Sequence, residues 1–319
     1  VVACTIPALA QGIEWKTLNS EVMSLYRQGN YDRAMAVARE GLRVAEQAGG
    51  PNHPLVALSL NNLALLYKTQ GQYAQAEPLY QRALEIKEKT LGSDHPSVAL
   101  SLNNLAELCR VQGQYRKAHL LYDRALRIKE KALGSDHLSV ATSLNNLAAV
   151  HVVQARYTQA ETLYKRALAI REKRLGPEHL SVAASLDNLA SVYDHESQYA
   201  QAEPLHKRSL AIKEKALGLE HPNVAASLHS LAALYSSQGQ YAEAEPLYQR
   251  ALAIQEKMLG MDHPAVATSL EGIAAIYKKT GRENQAAAIE KRAAAIRTTS
   301  DQKAWLDKMQ RAAYPPELE

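Results

Sequence analysis

The residues best equipped for chemistry in this sequence are amides and imidazoles that return at a fixed interval. Asn61 recurs as Asn103 and Asn145, with Asn19 before them, each a step of 42 residues from the next. A primary amide offers two donors and an acceptor, which suits the main chain of an extended peptide. On the same helical arc lie Leu58, Leu65 and Leu100, with Lys16, Arg27, Lys68 and Arg110 adding positive charge. An apolar anchor of a partner would cover those leucines. The competing reading is structural: the asparagines bond neighbouring repeats or solvent, copied by duplication.

Later copies change the chemistry. The Asn61 position becomes Asp187, His229 and Glu271, and Asp194, His195, Lys278 and Lys279 join the arc. Asp187, Asp194, His195 and His229 form a candidate metal-binding or pH-sensitive cluster, because imidazole and carboxylate are both ligand types. Drift on a solvated face is the alternative. A second histidine series, His53, His95, His137, His179, His221 and His263, keeps the same step. Stacked loops hold such copies too far apart for one ion, whose nitrogen ligands sit about 2 Å away. These six are read as helix-start or inter-repeat contacts, and no metal or cofactor is predicted.

The elements that position these residues follow from the period. Gly50, Gly92, Gly134, Gly176, Gly218 and Gly260 share it, as do Leu60, Leu102, Leu144, Leu186, Leu228 and Leu270. A weaker copy precedes them, with Gly29 and Tyr31 standing 42 before Gly71 and Tyr73. A unit of this size cannot bury its apolar face alone, so stacking builds the core and the chain reads as one solenoid. At about 100° per residue, Val56, Leu60, Leu63, Leu66 and Tyr67 share one arc of a first helix, with Ala64 at its edge. Ala76, Leu79, Tyr80, Ala83, Leu84 and Ile86 form the stripe of a second helix. Gly71 closes the first helix in a left-handed conformation, and Ala155 and Ser197, which replace it in two copies, are predicted to be strained. "LGSDHP" ends the second helix at Gly92, and Asp94 or His95 caps the next, with Pro96 in its first turn. Pro78, Pro204 and Pro246 fit only where the second helix starts just before them or bends. Cys109 and His151 replace the core tyrosine of Tyr67, Tyr193, Tyr235 and Tyr277, and His151 is read as a satisfied core histidine.

The chain carries a net charge of +4 over 319 residues, with no basic stripe along the repeats, so nucleic acid is not expected as a partner. No apolar run of about 18 residues would span a membrane. No phosphate-binding glycine loop, nucleophile elbow or zinc-type cysteine pair occurs, which argues against an enzyme. The many Glu-Lys neighbours, such as "IKEK", read as solvated helix faces.

The spacing of Leu60, Leu63, Ala64, Tyr67, Gly71, Tyr73, Ala76, Tyr80 and Ala83 resembles the tetratricopeptide signature. The usual unit has about 34 residues, whereas this one has 42. The longer unit, with "LNNLA", "GQY", "AExLYxRAL", "IxEK" and "LGxDHP", is similar to the repeats of kinesin light chains and the bacterial proteins sharing that variant. The resemblance covers about residues 13–298 and implies an all-α, right-handed superhelical solenoid. It also implies a non-catalytic scaffold whose concave groove takes a protein or extended peptide, as kinesin light chain grooves take short peptides, some with acidic residues flanking an aromatic. The heptad coiled coil that joins a kinesin light chain to its motor has no counterpart in this sequence. A ligand- or metal-sensing solenoid centred on the fourth and fifth repeats and a self-assembling array are the alternatives.

At the N-terminus, residues 1–12 are read as a signal-peptide remnant or extension. "VVACTIPALAQ" resembles the tail of a bacterial secretory signal with a small-x-small site at Ala8-Leu9-Ala10, which points to the periplasm or secretion. Lipidation at Cys4, or an apolar extension of a cytoplasmic protein, are the other readings. At the C-terminus, residues 299–319 are expected to supply a capping helix, about Asp301–Ala313, followed by a fraying tail.

Overall fold

The computed structural model describes the backbone of residues 8–313 and the side chains of residues 12–299. Val1–Pro7, with Cys4, and the tail beyond Ala313 lie outside the described residues. Among those described, every regular element is an α-helix. They fall into two compact units that divide between Arg156 and Tyr157.

The first unit holds α1 (Ala8–Arg27), α2 (Tyr31–Gly49), α3 (Pro54–Thr69), α4 (Tyr73–Leu91), α5 (Pro96–Val111), α6 (Tyr115–Leu133) and α7 (Leu138–Val153). Within it, α1 pairs with α2, α3 with α4 and α5 with α6, and each pair packs on the next. The second unit holds α8 (Tyr157–Leu175), α9 (Leu180–His195), α10 (Tyr199–Leu217), α11 (Pro222–Ser237), α12 (Tyr241–Leu259), α13 (Pro264–Lys279) and α14 (Glu283–Ala313). There α9 pairs with α10, α11 with α12 and α13 with α14, again stacked in order.

The predicted arcs are the buried ones. Val56, Leu60, Leu63, Ala64 and Leu66 are buried on α3, with Tyr67 half-buried. Ala76, Tyr80, Ala83, Leu84 and Ile86 are buried on α4, with Leu79 half-buried. Ala64, Ala76 and Ala83 are wholly enclosed, so the paired helices meet backbone to backbone at these small residues. Burying a leucine on such an arc contributes roughly 1.5–3 kcal/mol.

Each first helix ends on a residue with positive φ. Gly71 has φ 74°, and the amide of Gln72 reaches back to the Tyr67 carbonyl at 2.8 Å. The same closure persists where glycine is missing: Ala155 sits at φ 54° and Ser197 at φ 57°. A β-carbon in that region costs about 1–2 kcal/mol. Ala155→Gly and Ser197→Gly are therefore expected to stabilise the protein by about 0.5–1 kcal/mol each, read as a higher urea midpoint. An unchanged midpoint would show that these turns carry no strain.

The six repeated histidines are the helix caps. Nδ1 of His53, His95, His137, His179, His221 and His263 accepts the backbone N–H two residues on, at 3.0–3.2 Å. Asp94 is not the cap; it pairs instead with Lys131 at 2.6 Å.

Two expectations are corrected. Pro78, Pro204 and Pro246 lie inside α4, α10 and α12, in the second turn rather than at the start. All three are exposed, so the carbonyl each leaves unbonded faces solvent. The predicted separate helix over 301–313 is instead the end of α14, which runs unbroken from Glu283 because no glycine or proline interrupts it. Ala8-Leu9-Ala10 forms the first turn of α1.

Candidate functional site

In the first unit, α3, α5 and α7 carry the asparagine columns. Asn62 Nδ2 donates to Asn19 Oδ1 at 2.6 Å, and Asn104 Nδ2 donates to Asn61 Oδ1 at 2.7 Å. The predicted amides do form a ladder, but a diagonal one. Asn19 and Asn61 supply acceptors, and the asparagines one residue further along the next repeat supply donors. These rungs join repeats to one another. The next rung is not made: Asn103 Oδ1 is buried and has no partner. A buried amide oxygen left in that state costs about 1–3 kcal/mol.

A groove of about 500 Å³ opens at that place, lined by Asn103, Asn104, Glu107, Arg110, Tyr122 and Asn146. Glu107 is its electrostatic centre. Arg110 donates to both of its oxygens, Nε to Oε2 at 2.8 Å and Nη2 to Oε1 at 2.7 Å, and Tyr122 O–H donates to Oε2 at 2.9 Å. Burial alone would raise the Glu107 carboxyl. The bonds from Arg110 and Tyr122, with the charges of Arg110 and Lys68, outweigh it and hold Glu107 below the usual carboxylate range. Burial and the Glu107 carboxylate push the Tyr122 phenol well above its ordinary value.

None of the other predicted groove residues lines this groove, although the charge of Lys68 acts on Glu107. Leu58 and Leu100 are 41% and 56% exposed, unusually open for leucines in a packed array. Leu65, Lys68 and Asn145 are half-buried. Sequence reasoning found Asn103 and Arg110 but missed Glu107, Tyr122, Asn104 and Asn146. A signal existed for Glu107: in the column Leu65, Glu107, Ala149, Ser191, Ala233 and Ala275 it alone is charged.

Beneath the amides runs a column of buried cations. Lys87 Nζ donates to Ser101 Oγ, and Lys129 Nζ to Ser143 Oγ, each at 2.8 Å. Among the described residues neither lysine forms an ion pair with a carboxylate, and burial pulls both ammonium groups below the usual lysine range. In the second unit an acid at the Asn61 position answers the equivalent cation. Asp187 pairs with Lys213 at 2.6 Å, and Glu271 with Arg297 at 3.0 Å.

That pairing dissolves the predicted histidine–aspartate cluster. Asp187 is engaged by Lys213. Asp194 Oδ2 lies 2.8 Å from Nε2 of the buried His206, which replaces the tyrosine of Tyr80 and Tyr122. His195 stacks on Tyr157 with ring centres 5.5 Å apart, and His229 meets the Tyr248 ring edge-on at 5.0 Å. The four residues face four different neighbours, and no trio of His, Cys, Asp or Glu among the described residues is placed to hold a metal.

His151 is buried as expected, but not satisfied, since its Nδ1 has no partner. Elsewhere the core tyrosine donates to a glutamate: Tyr193 to Glu161 and Tyr235 to Glu203, both at 2.9 Å. At His151 that glutamate is His119, and the two rings meet edge-on at 5.1 Å. Burial, with the charges of His119 and Arg156, lowers the His151 pKa. Cys109, the third occupant of the column, is a buried free thiol pushed up by burial.

Stacked helical hairpins with a polar groove over the first helices define a class of repeat scaffold. The chain belongs to the tetratricopeptide repeat family, which matches residues 16–89, 69–131, 121–173, 139–215, 195–257 and 223–299. Among solved structures, it is similar to a Podospora anserina putative kinesin light chain of nearly identical tetratricopeptide-like repeats. That pair shares 33% identity with TM-score 0.57, over 65% of this chain and 98% of the other. BtubC, a bacterial kinesin light chain (BKLC) from P. vanneervenii, shares 26% identity with TM-score 0.60, over 76% of this chain and 92% of the other. The apo form of RapI shares the fold at 15% identity, with TM-score 0.67 over 91% of this chain and 99% of the other. No curated protein matches the chain. Among the described residues no helix is long and apolar enough to cross a membrane.

Proposed function

We propose that the first unit binds an extended peptide segment of a partner protein through the groove over α5, without catalysing a reaction. The observation that carries this reading is the Asn103 amide oxygen. It is buried and unbonded at the edge of an open groove, while the preceding rungs of the same ladder are closed. A main-chain N–H of a bound strand would satisfy it. Exposed Leu100, one turn before Asn103 on α5, and Leu58, its counterpart on α3, offer apolar contact to a side chain of the same segment.

Asn61 is the wrong residue for a clean test, because its removal breaks the rung to Asn104. Asn103→Ala removes an oxygen that no protein group uses. The measurement is selection of linear peptides from a random library, followed by calorimetry of the enriched peptides. Asn103→Ala is expected to weaken them about 5–10-fold with helicity unchanged and melting not lowered. Enriched peptides that bind the variant as tightly as the parent would remove the amide from the mechanism. Failure to enrich any peptide would remove the groove.

A further inference from the structure

We infer that Glu107 sets the specificity of this groove: by holding Arg110, it makes the site read N–H donors rather than carboxylates. The inference rests on the groove being a peptide site. Three observations carry it. First, Arg110 is the cation lining the groove, and its fork is already taken. Its Nε and Nη2 both donate to Glu107, the bidentate geometry by which arginine would grip a ligand carboxylate. Second, the neutral Tyr122 O–H, another donor of the site, is spent on the same carboxylate. Third, the buried polar atom left unbonded at the groove is an acceptor, Asn103 Oδ1. An entering acid must therefore displace Glu107 from both partners, whereas an N–H bonding Asn103 Oδ1 breaks no existing hydrogen bond.

The device is local to one repeat. At the Glu107 position the first repeat has Leu65 and the third Ala149, and neither side chain can accept a hydrogen bond. Lys68, which occupies the Arg110 position one repeat earlier, adds its charge to Glu107 as well. Glu107 thus stands in the protein as the surrogate of a ligand carboxylate, and removing it converts the groove into an acid-binding one.

The test uses the full chain and random linear peptides displayed as a library. The parent protein is expected to enrich peptides with no excess of Asp or Glu over the input, and Glu107→Ala to enrich acidic ones. An acidic peptide from the second pool, synthesised and titrated by calorimetry, should bind Glu107→Ala at least about tenfold more tightly than the parent. That gap should vanish when Arg110→Ala is added. Glu107→Gln, which keeps an acceptor for Tyr122 and the size of the side chain, serves as the second variant and should show the same change of preference. Acidic peptides recovered equally from parent and variants, or a gap that survives Arg110→Ala, would overturn the role of Glu107 while leaving the groove intact. No enrichment on any of the proteins would overturn the groove, and this inference with it.

Discussion

Asn103→Asp should stabilise the protein and at the same time weaken the peptides it selects. The expected gain is about 1–3 kcal/mol, read as an increase in the urea midpoint. The template lies in the second unit, where Asp187 occupies the equivalent position and bonds Lys213 at 2.6 Å. In the first unit Lys129 is buried with only Ser143 Oγ and the Ser139 carbonyl for partners. Burial disfavours its charged form, so a carboxylate delivered from position 103 supplies the missing counter-charge. The sign with pH follows. A new carboxylate paired in the folded state has a depressed pKa. Its contribution is present above the unfolded carboxylate pKa and is lost as pH falls through the folded one. The same pairing draws the side chain at 103 toward Lys129 and away from the groove, so peptide affinity drops. A midpoint that does not move, or moves equally at pH 7 and in acid, would show that Lys129 does not feel position 103.

Gly272→Asn tests packing in the second unit, and the expected result runs against the repeat pattern. Asn62, Asn104, Asn146 and Asn188 all stand at this position, so asparagine is the consensus choice. The structure predicts a loss. A β-carbon at Gly272 would stand 2.6 Å from the Tyr248 ring, which is only 4% exposed and has little room to retreat. The ring is held there by His229, edge-on at 5.0 Å. Overpacking of this kind costs about 1–3 kcal/mol. His229→Asn in the same chain should recover part of it, because the smaller side chain frees Tyr248 to move back. The coupling between the two substitutions is then about 0.5–3 kcal/mol by a double-mutant cycle in urea. Additive effects would mean that His229 does not place the ring.

The fold was legible because repetition averages out local accident. Leu60 and its copies announce a buried arc six times over, and the glycine of each turn announces a positive φ. The caps were half legible: position pointed to Asp94 or His95, and only geometry chose the imidazole. The site was legible by column but not by contact. Asn61 and Asn103 belong to one series and each has an asparagine 43 residues on, yet the Asn61 oxygen is bonded and the Asn103 oxygen is not, a difference that only the geometry of the two rungs reveals. The histidine–aspartate grouping failed for a related reason. A helical wheel places Asp187, Asp194 and His229 on a common arc, but it does not show Lys213, His206 and Tyr248 of the second helices, which meet them one by one. Glu107 was visible as a departure within its column, and its meaning needed the distances to Arg110 and Tyr122.

The choice of histidine at the helix starts has a consequence that belongs to tandem arrays. Whatever one copy carries, the array multiplies. The acids just before the caps already form a row within each unit, and three of them pair with a lysine of their own: Asp94 with Lys131, Glu178 with Lys215, Glu220 with Lys257. An aspartate in place of every cap histidine would double that row, and like charges on adjacent copies repel along its whole length. A neutral imidazole nitrogen does the same bonding without adding to the tally, so copy number can grow while the electrostatic load per copy stays fixed.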